Sequence, residues 1–211
     1  MSCSDFLHVT IPDQCPPKAP PIKSKVYQQA LLDSAVQLLA EKHHREITIR
    51  EMTDIAGVGL GTFYEYFSQK EDVFALIIHQ QIKALAQELL GHGAQIKNFR
   101  PDILITDYVE QLIQIQLKKI QNAQQIWATI FLLERQLSTS EVYQKHYALM
   151  CQLWQDLLQP FAIEHFERAA INLHRVIYGF VMQTLLVQPD FSEWTHLGTD
   201  IGIACDAFLK Q

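Results

Sequence analysis

Proline all but disappears once the first 21 residues are passed. Pro12, Pro16, Pro17, Pro20 and Pro21 lie in that leader, and only Pro101, Pro160 and Pro189 follow. Glycine is as scarce, with 8 in 211 residues. So few turn punctuators, in a chain rich in Leu, Ile, Ala, Gln and Glu, argue for helices rather than strands. Cysteine is thin too. Cys3, Cys15, Cys151 and Cys205 stand apart and form no C-x-x-C pair, which speaks against a zinc cluster and fits a reducing cytoplasm. No run reaches the ~18 apolar residues of a membrane span. Residues 1–22 also lack the apolar centre of a signal peptide, so a cytoplasmic protein away from membranes is expected.

Basic charge is in short supply as well. The net charge is −6. Residues 1–90 carry 8 lysines and arginines against 11 acidic residues, and residues 91–211 carry 9 against 12. Neither half is basic, so any nucleic-acid contact must rest on a small face with a few well-placed donors, and non-specific binding should be modest.

What is present is hydrophobic side chain, 48% of the residues, arranged with helical periodicity. Val26, Ala30, Leu31, Ala35, Leu38 and Leu39 recur at helical spacing from Ser24 onward and form one apolar stripe. The spacing ends in the polar stretch Glu41–Glu46. Thr48-Ile49-Arg50-Glu51 fits a capping box, hydroxyl at the N-cap and carboxylate three residues on. It opens a short helix with Met52 and Ile55 facing inward. Ala56-Gly57-Val58 reads as a tight turn, and a helix restarts over Gly59 to Phe67.

Ser68-Gln69-Lys70-Glu71 reads as a second capping box, starting a long helix that should end at Gly91-His92-Gly93. Arg100-Pro101 suits a helix start with proline in the first position, running to about Asn122. A helix over roughly Ala123 to Leu137 follows, then a third box at Ser138-Thr139-Ser140-Glu141 and a helix to near Pro160. Two more helices cover about Glu164 to Val187 and Ser192 to the C-terminus. The expectation is an all-α, nine-helix, two-domain chain: a disordered tail over 1–22, a small domain over 23–68 and a larger helical bundle over 69–211.

A short helix, a glycine-containing turn and a second short helix make a helix-turn-helix, whose second helix enters the major groove N-terminus first. Here that end is Gly59-Leu60-Gly61-Thr62. The two glycines leave the backbone free to approach DNA closely. Thr62, Tyr64 and Tyr66 carry hydroxyls able to donate to phosphates, and Phe63 and Phe67, four apart, are natural core anchors. Lys70 falls in the first turn of a capped helix, where the helix dipole disfavours a cation and a docked phosphate would reverse that sign. Lys18, Lys23 and Lys25 precede the first helix, where they read either as part of a disordered leader with no role or as a basic arm for the minor groove.

Thr48 through Glu71 resembles the DNA-binding signature of the tetracycline-repressor (TetR) family, densely from Lys25 to Phe74. Beyond that segment the likeness is one of helix number and length. The resemblance implies a homodimer that binds a double-stranded operator through helices one to three. A fourth helix would link the domains, and the last two would form the dimer interface. It implies that Leu60 and Gly61 face bases, while Thr48, Arg50, Thr62, Tyr64, Tyr66 and Lys70 face the backbone or groove edge, beside Gly59. Leucine at position 60 can meet only apolar features such as a thymine methyl. Specificity then falls to Arg50 or to DNA shape.

A repressor of this kind needs a signal. Trp127, Phe131, Tyr143, Tyr147, Met150, Trp154, Tyr178 and Met182 lie at helical spacings and could line a pocket for a large hydrophobic or aromatic ligand, though such stripes are also what plain cores look like. Arg135, His146, His174 and Arg175 could add polar contacts there, or sit at the surface or the dimer interface. Cys151 offers a redox sensor as an alternative, and a helical adaptor without DNA binding is another. Glu41-x-x-His44 and Glu193-x-x-His196 match one element of di-iron bundles, but the first ends a front helix and the second opens the last. With no G-x-S-x-G, P-loop or H-E-x-x-H, no enzyme, metal or cofactor is expected.

Overall fold

The computed structural model describes residues 21–161 and 163–210. Among them there are nine helices and no strand. They are α1 (Pro21–Glu41), α2 (Ile49–Ala56), α3 (Leu60–Tyr66), α4 (Lys70–Phe99), α5 (Ile105–Asn122), α6 (Gln124–Leu137), α7 (Ser140–Leu158), α8 (Phe166–Val187) and α9 (Trp194–Leu209). The all-α class and the nine-helix order expected from the sequence are those observed. Most of the proposed tail lies outside the described residues, Lys18 included. Pro21 and Ile22, assigned to that tail, open α1, and Lys23 and Lys25 are in the same helix.

The first three helices close around Leu31, Leu32, Ala35, Leu38, Ile47, Met52, Phe63 and Phe67, all buried. The start of α4 completes this small core with Val73, Phe74 and Ile77, so the head is not independent of the long helix. Beyond it α4 touches α5, α6 and α7, α8 packs on α6 and α7, and α9 packs on α5 and α8. α8 is long and apolar enough, by length and composition, to cross a membrane. In the fold it is instead a bundle helix, packed through Ala170, Leu173, Ile177, Val181 and Leu185.

Several local expectations are corrected. Val26 and Ile55 do not face inward; they are 61% and 44% exposed. The long helix does not stop at Gly91-His92-Gly93 but runs on to Phe99. Gly93 is there for closeness rather than termination: a Cβ would lie 2.4 Å from Leu157 Cδ2 and 2.5 Å from the Tyr108 hydroxyl. Pro101 does not start a helix. It sits in a turn after Arg100, and α5 begins at Ile105 behind Leu104.

Two caps are displaced by one residue. At α4 the carboxylate that accepts from the backbone N–H groups of Ser68 and Gln69, at 3.0 and 3.2 Å, is that of Asp72 and not Glu71. At α7 the N-cap is Thr139 rather than Ser138, and its hydroxyl accepts from Val142 N–H at 3.3 Å.

The two helical glycines separate breaking from packing. Gly93→Ala should lower stability in urea unfolding by about 1–3 kcal/mol, the usual cost of overpacking. Gly91→Ala, whose Cβ would meet nothing within 4 Å, should be neutral or stabilising by up to ~1 kcal/mol. Equal effects would mean that the α4–α7 approach is looser than described.

Candidate functional site

α2 begins as its sequence requires. The Thr48 hydroxyl accepts from Glu51 N–H at 3.2 Å, and Glu51 Oε2 accepts from Thr48 N–H at 2.9 Å. Lys42 reaches the other Glu51 oxygen at 2.5 Å. Lys42 first, then the Thr48 N–H and hydroxyl, hold the Glu51 carboxyl at about 2. α2 ends at Gly57, whose φ of +66° is the left-handed conformation that glycine adopts without strain. Val58 N–H closes the turn on Thr53 O at 3.0 Å.

α3 then projects from this turn. Phe63 and Phe67 anchor it, fully or almost fully buried, with ring centroids 5.7 Å apart. The opposite side is open. Leu60 is 52% and Tyr64 54% exposed, Gly59 and Gly61 are exposed beside them, and Thr62 and Tyr66 are half-buried. Thr48 and Arg50 are exposed at the start of α2. Added Cβ atoms at Gly59 and Gly61 would meet nothing among the described residues within 4 Å.

Lys70 departs from expectation. Its ammonium turns back onto the loop before α2 and donates to the carbonyls of Ile47 (2.7 Å), Arg45 (3.0 Å) and His44 (3.2 Å). An ammonium has three donors, and all three are engaged within the protein. The cation at a helix N-terminus is therefore matched by carbonyl oxygens, without an external phosphate. Lys70 fixes the backbone that leads into Thr48 and Arg50.

The second site is a cavity inside the bundle, between α4, α5, α6, α7 and α8. Six of the eight residues expected to line a pocket do so: Trp127, Phe131, Tyr143, Tyr147, Met150 and Tyr178. Trp154 does not. It lies one turn beyond Met150, fully buried in the core. Met182 does not either, because its sulfur turns toward Arg135 Nη1, 3.7 Å away. Of the four polar candidates, His146 and His174 reach the cavity, while Arg135 and Arg175 stay exposed outside its wall.

Glu134 and Gln116 are wall residues that sequence reasoning missed. Glu134 follows Trp127, Ile130 and Phe131 at i, i+3, i+4 and i+7, so the apolar stripe of α6 carries a carboxylate at its end. That carboxylate is only 3% exposed. His146 Nδ1 lies 3.0 Å from Oε1, and the Tyr178 hydroxyl donates to Oε2 at 2.9 Å. Burial pushes the Tyr178 hydroxyl far up, reinforced by Glu134. Burial also lowers His174 to about 4, and lowers His79, whose ring stacks on His146 at 5.7 Å.

Cys151 is buried behind this wall, and burial pushes its thiol up. That is the direction of an inert cysteine rather than a sensor. The two Glu-x-x-His elements sit apart, Glu41 and His44 at the end of α1 and Glu193 and His196 at the exposed start of α9.

Residues 31–77 match the family model for bacterial regulatory proteins of the tetR family. Solved structures share the fold over most of the chain. A TetR transcriptional regulator from Rhodococcus sp. RHA1 superposes with a TM-score of 0.63 at 20% identity, over 89% of this chain and 97% of that one. FadR of Thermus thermophilus, a TetR-family repressor solved in complex with lauroyl-CoA, gives 0.61 at 16% identity, over 87% and 91%. SmeT, repressor of the Stenotrophomonas maltophilia multidrug efflux pump SmeDEF, gives 0.63 at 17%, over 87% and 88%. No curated protein matches the sequence.

Two measurements check this geometry. Lys70→Met strands three carbonyls and should cost about 1–3 kcal/mol in urea unfolding; no loss would mean that the clasp is unimportant. The folded pKa values of His174 and His79 lie below the ordinary 6.5, so the unfolded chain binds more protons. Their contribution is complete above pH ~6.5 and is lost as the pH falls toward 4. The melting temperature should drop between pH 7.5 and 5.5, and His174→Gln should flatten the drop. Glu51, held at about 2, acts below that window. An undiminished drop in the variant would contradict the assignment.

Proposed function

We propose that this chain, whose residues 31–77 match the model for regulatory proteins of the tetR family, is a transcriptional repressor released from its operator by a small hydrophobic or aromatic ligand. The observation that carries the reading is the cavity. Ile82 and Leu85 of α4 and four residues of α6 are part of its wall, and both helices also touch the head, α4 through Phe74 and Ile77 and α6 through its contact with α1. A molecule that reshapes the cavity therefore acts on two supports of the DNA-binding module.

The proposed DNA face is the exposed side of α3 and the start of α2. Leu60 and Gly61 face bases. Thr48, Arg50, Thr62, Tyr64 and Tyr66 face phosphates and the groove edge, and Gly59 leaves room for close approach. Nothing among the described residues requires glycine's small size at 59 and 61, which suits positions reserved for a partner outside the chain. Lys70 serves by placing Thr48 and Arg50. The head ends near Ser68 and the bundle, residues 69–211, binds ligand and dimerises. Phe180, Val187 and Ile203 are 40%, 71% and 69% exposed on α8 and α9, apolar side chains of the sort a second copy would cover. Acting on DNA, the protein works in the cytoplasm.

The test is a gel shift on DNA from upstream of the chain's own gene. The protein should retard it, Tyr64→Ala should weaken binding by roughly tenfold, the size of one or two lost polar contacts, and hydrophobic aromatic compounds should release it. Met150→Trp, which fills the cavity, should mimic or block that release. Failure to retard the DNA, or release that ignores Met150→Trp, would count against the reading.

A further inference from the structure

The polar groups of the cavity are unevenly matched. Glu134 accepts one hydrogen bond on each oxygen, from His146 and Tyr178. A carboxylate accepts about four, so a lone pair is left on each. Gln116, 6% exposed, has a buried Oε1 with no partner among the described residues. His174, held neutral by burial, keeps an acceptor nitrogen on its ring. No lysine or arginine is among the lining residues. The hydroxyl donors of the wall are those of Tyr143, Tyr147 and Tyr178, the last already given to Glu134, and Gln116 Oε1 is left without one.

The apolar part of the wall adds the same sign. Trp127, Phe131, Tyr147 and Tyr178 line the cavity, and aromatic faces carry negative electrostatic potential that attracts cations. An anion would meet the Glu134 carboxylate, with no lysine or arginine in the wall to offset it. A neutral hydrocarbon would leave Gln116 Oε1 buried and unpaired, which burial makes unfavourable.

We propose that the cavity takes a hydrophobic monocation, a protonated amine on an apolar or aromatic skeleton, with Glu134 as its counter-ion and Gln116 Oε1 as a further acceptor. This inference rests on the reading of the cavity as a ligand site and narrows the ligand by charge. It sets the chain apart from its structural neighbour crystallised with lauroyl-CoA, whose head group is anionic.

Three probes with one ring system and different heads test it: 2-naphthylmethylammonium, 2-naphthylmethanol and 2-naphthoate, titrated calorimetrically into the full-length protein at pH 7. The ammonium should bind at least about tenfold more tightly than the alcohol, and the naphthoate most weakly. Glu134→Gln should erase that preference while leaving alcohol affinity within about threefold. Gln116→Met should reduce ammonium binding several-fold and serves if Glu134→Gln does not fold, as judged by circular dichroism. Equal or tighter binding of the alcohol or naphthoate, or a preference that survives both substitutions, would overturn the charge assignment while the ligand-site reading stands. No binding of any probe would overturn both.

Discussion

At the first residue of α4, Lys70 turns its ammonium back onto the carbonyls of His44, Arg45 and Ile47. Those carbonyls belong to the loop that delivers Thr48, the cap of α2. One charged group therefore fixes where α2 starts, and α3 follows from α2 through a three-residue turn closed at Gly57. The head relies on α4 for Val73, Phe74 and Ile77 in its core and for Lys70 at its loop.

The same dependence links the head to the cavity. Ile82 and Leu85 of α4 line it, barely two turns beyond Ile77 and Ile78. On α6, Glu134 lies in the cavity wall, while Gln136 and Leu137 border a surface cleft shared with His44, Arg45, Lys70 and Glu71. Glu134 thus stands within one helical turn of the residues that border the clasp. Interiors this closely packed respond by discrete rearrangement rather than by gradual yielding.

Much of this was legible in the sequence where a local rule governs. Thr48 and Glu51, the Ala56-Gly57-Val58 turn and the Phe63–Phe67 anchor are set by capping, backbone conformation and spacing, all within a few residues. Six cavity residues were legible because aromatic stripes on adjacent helices converge. What failed depends on partners distant in sequence. Gly93 looks like a stop signal until Leu157 and Tyr108 are known to press on it. Lys70 looks free until a loop more than 20 residues upstream is folded beneath it. Glu134 looks like a surface charge until His146 and Tyr178 close over it.

The central claim is that cavity and DNA face share one equilibrium, so that each ligand weakens the other by the same factor. The most direct measurement is the affinity of 2-naphthylmethylammonium for the protein alone and for the protein saturated with its upstream DNA. The account predicts weaker amine binding on DNA, by the factor with which the amine weakens DNA binding. Amine affinity unchanged by saturating DNA would contradict it.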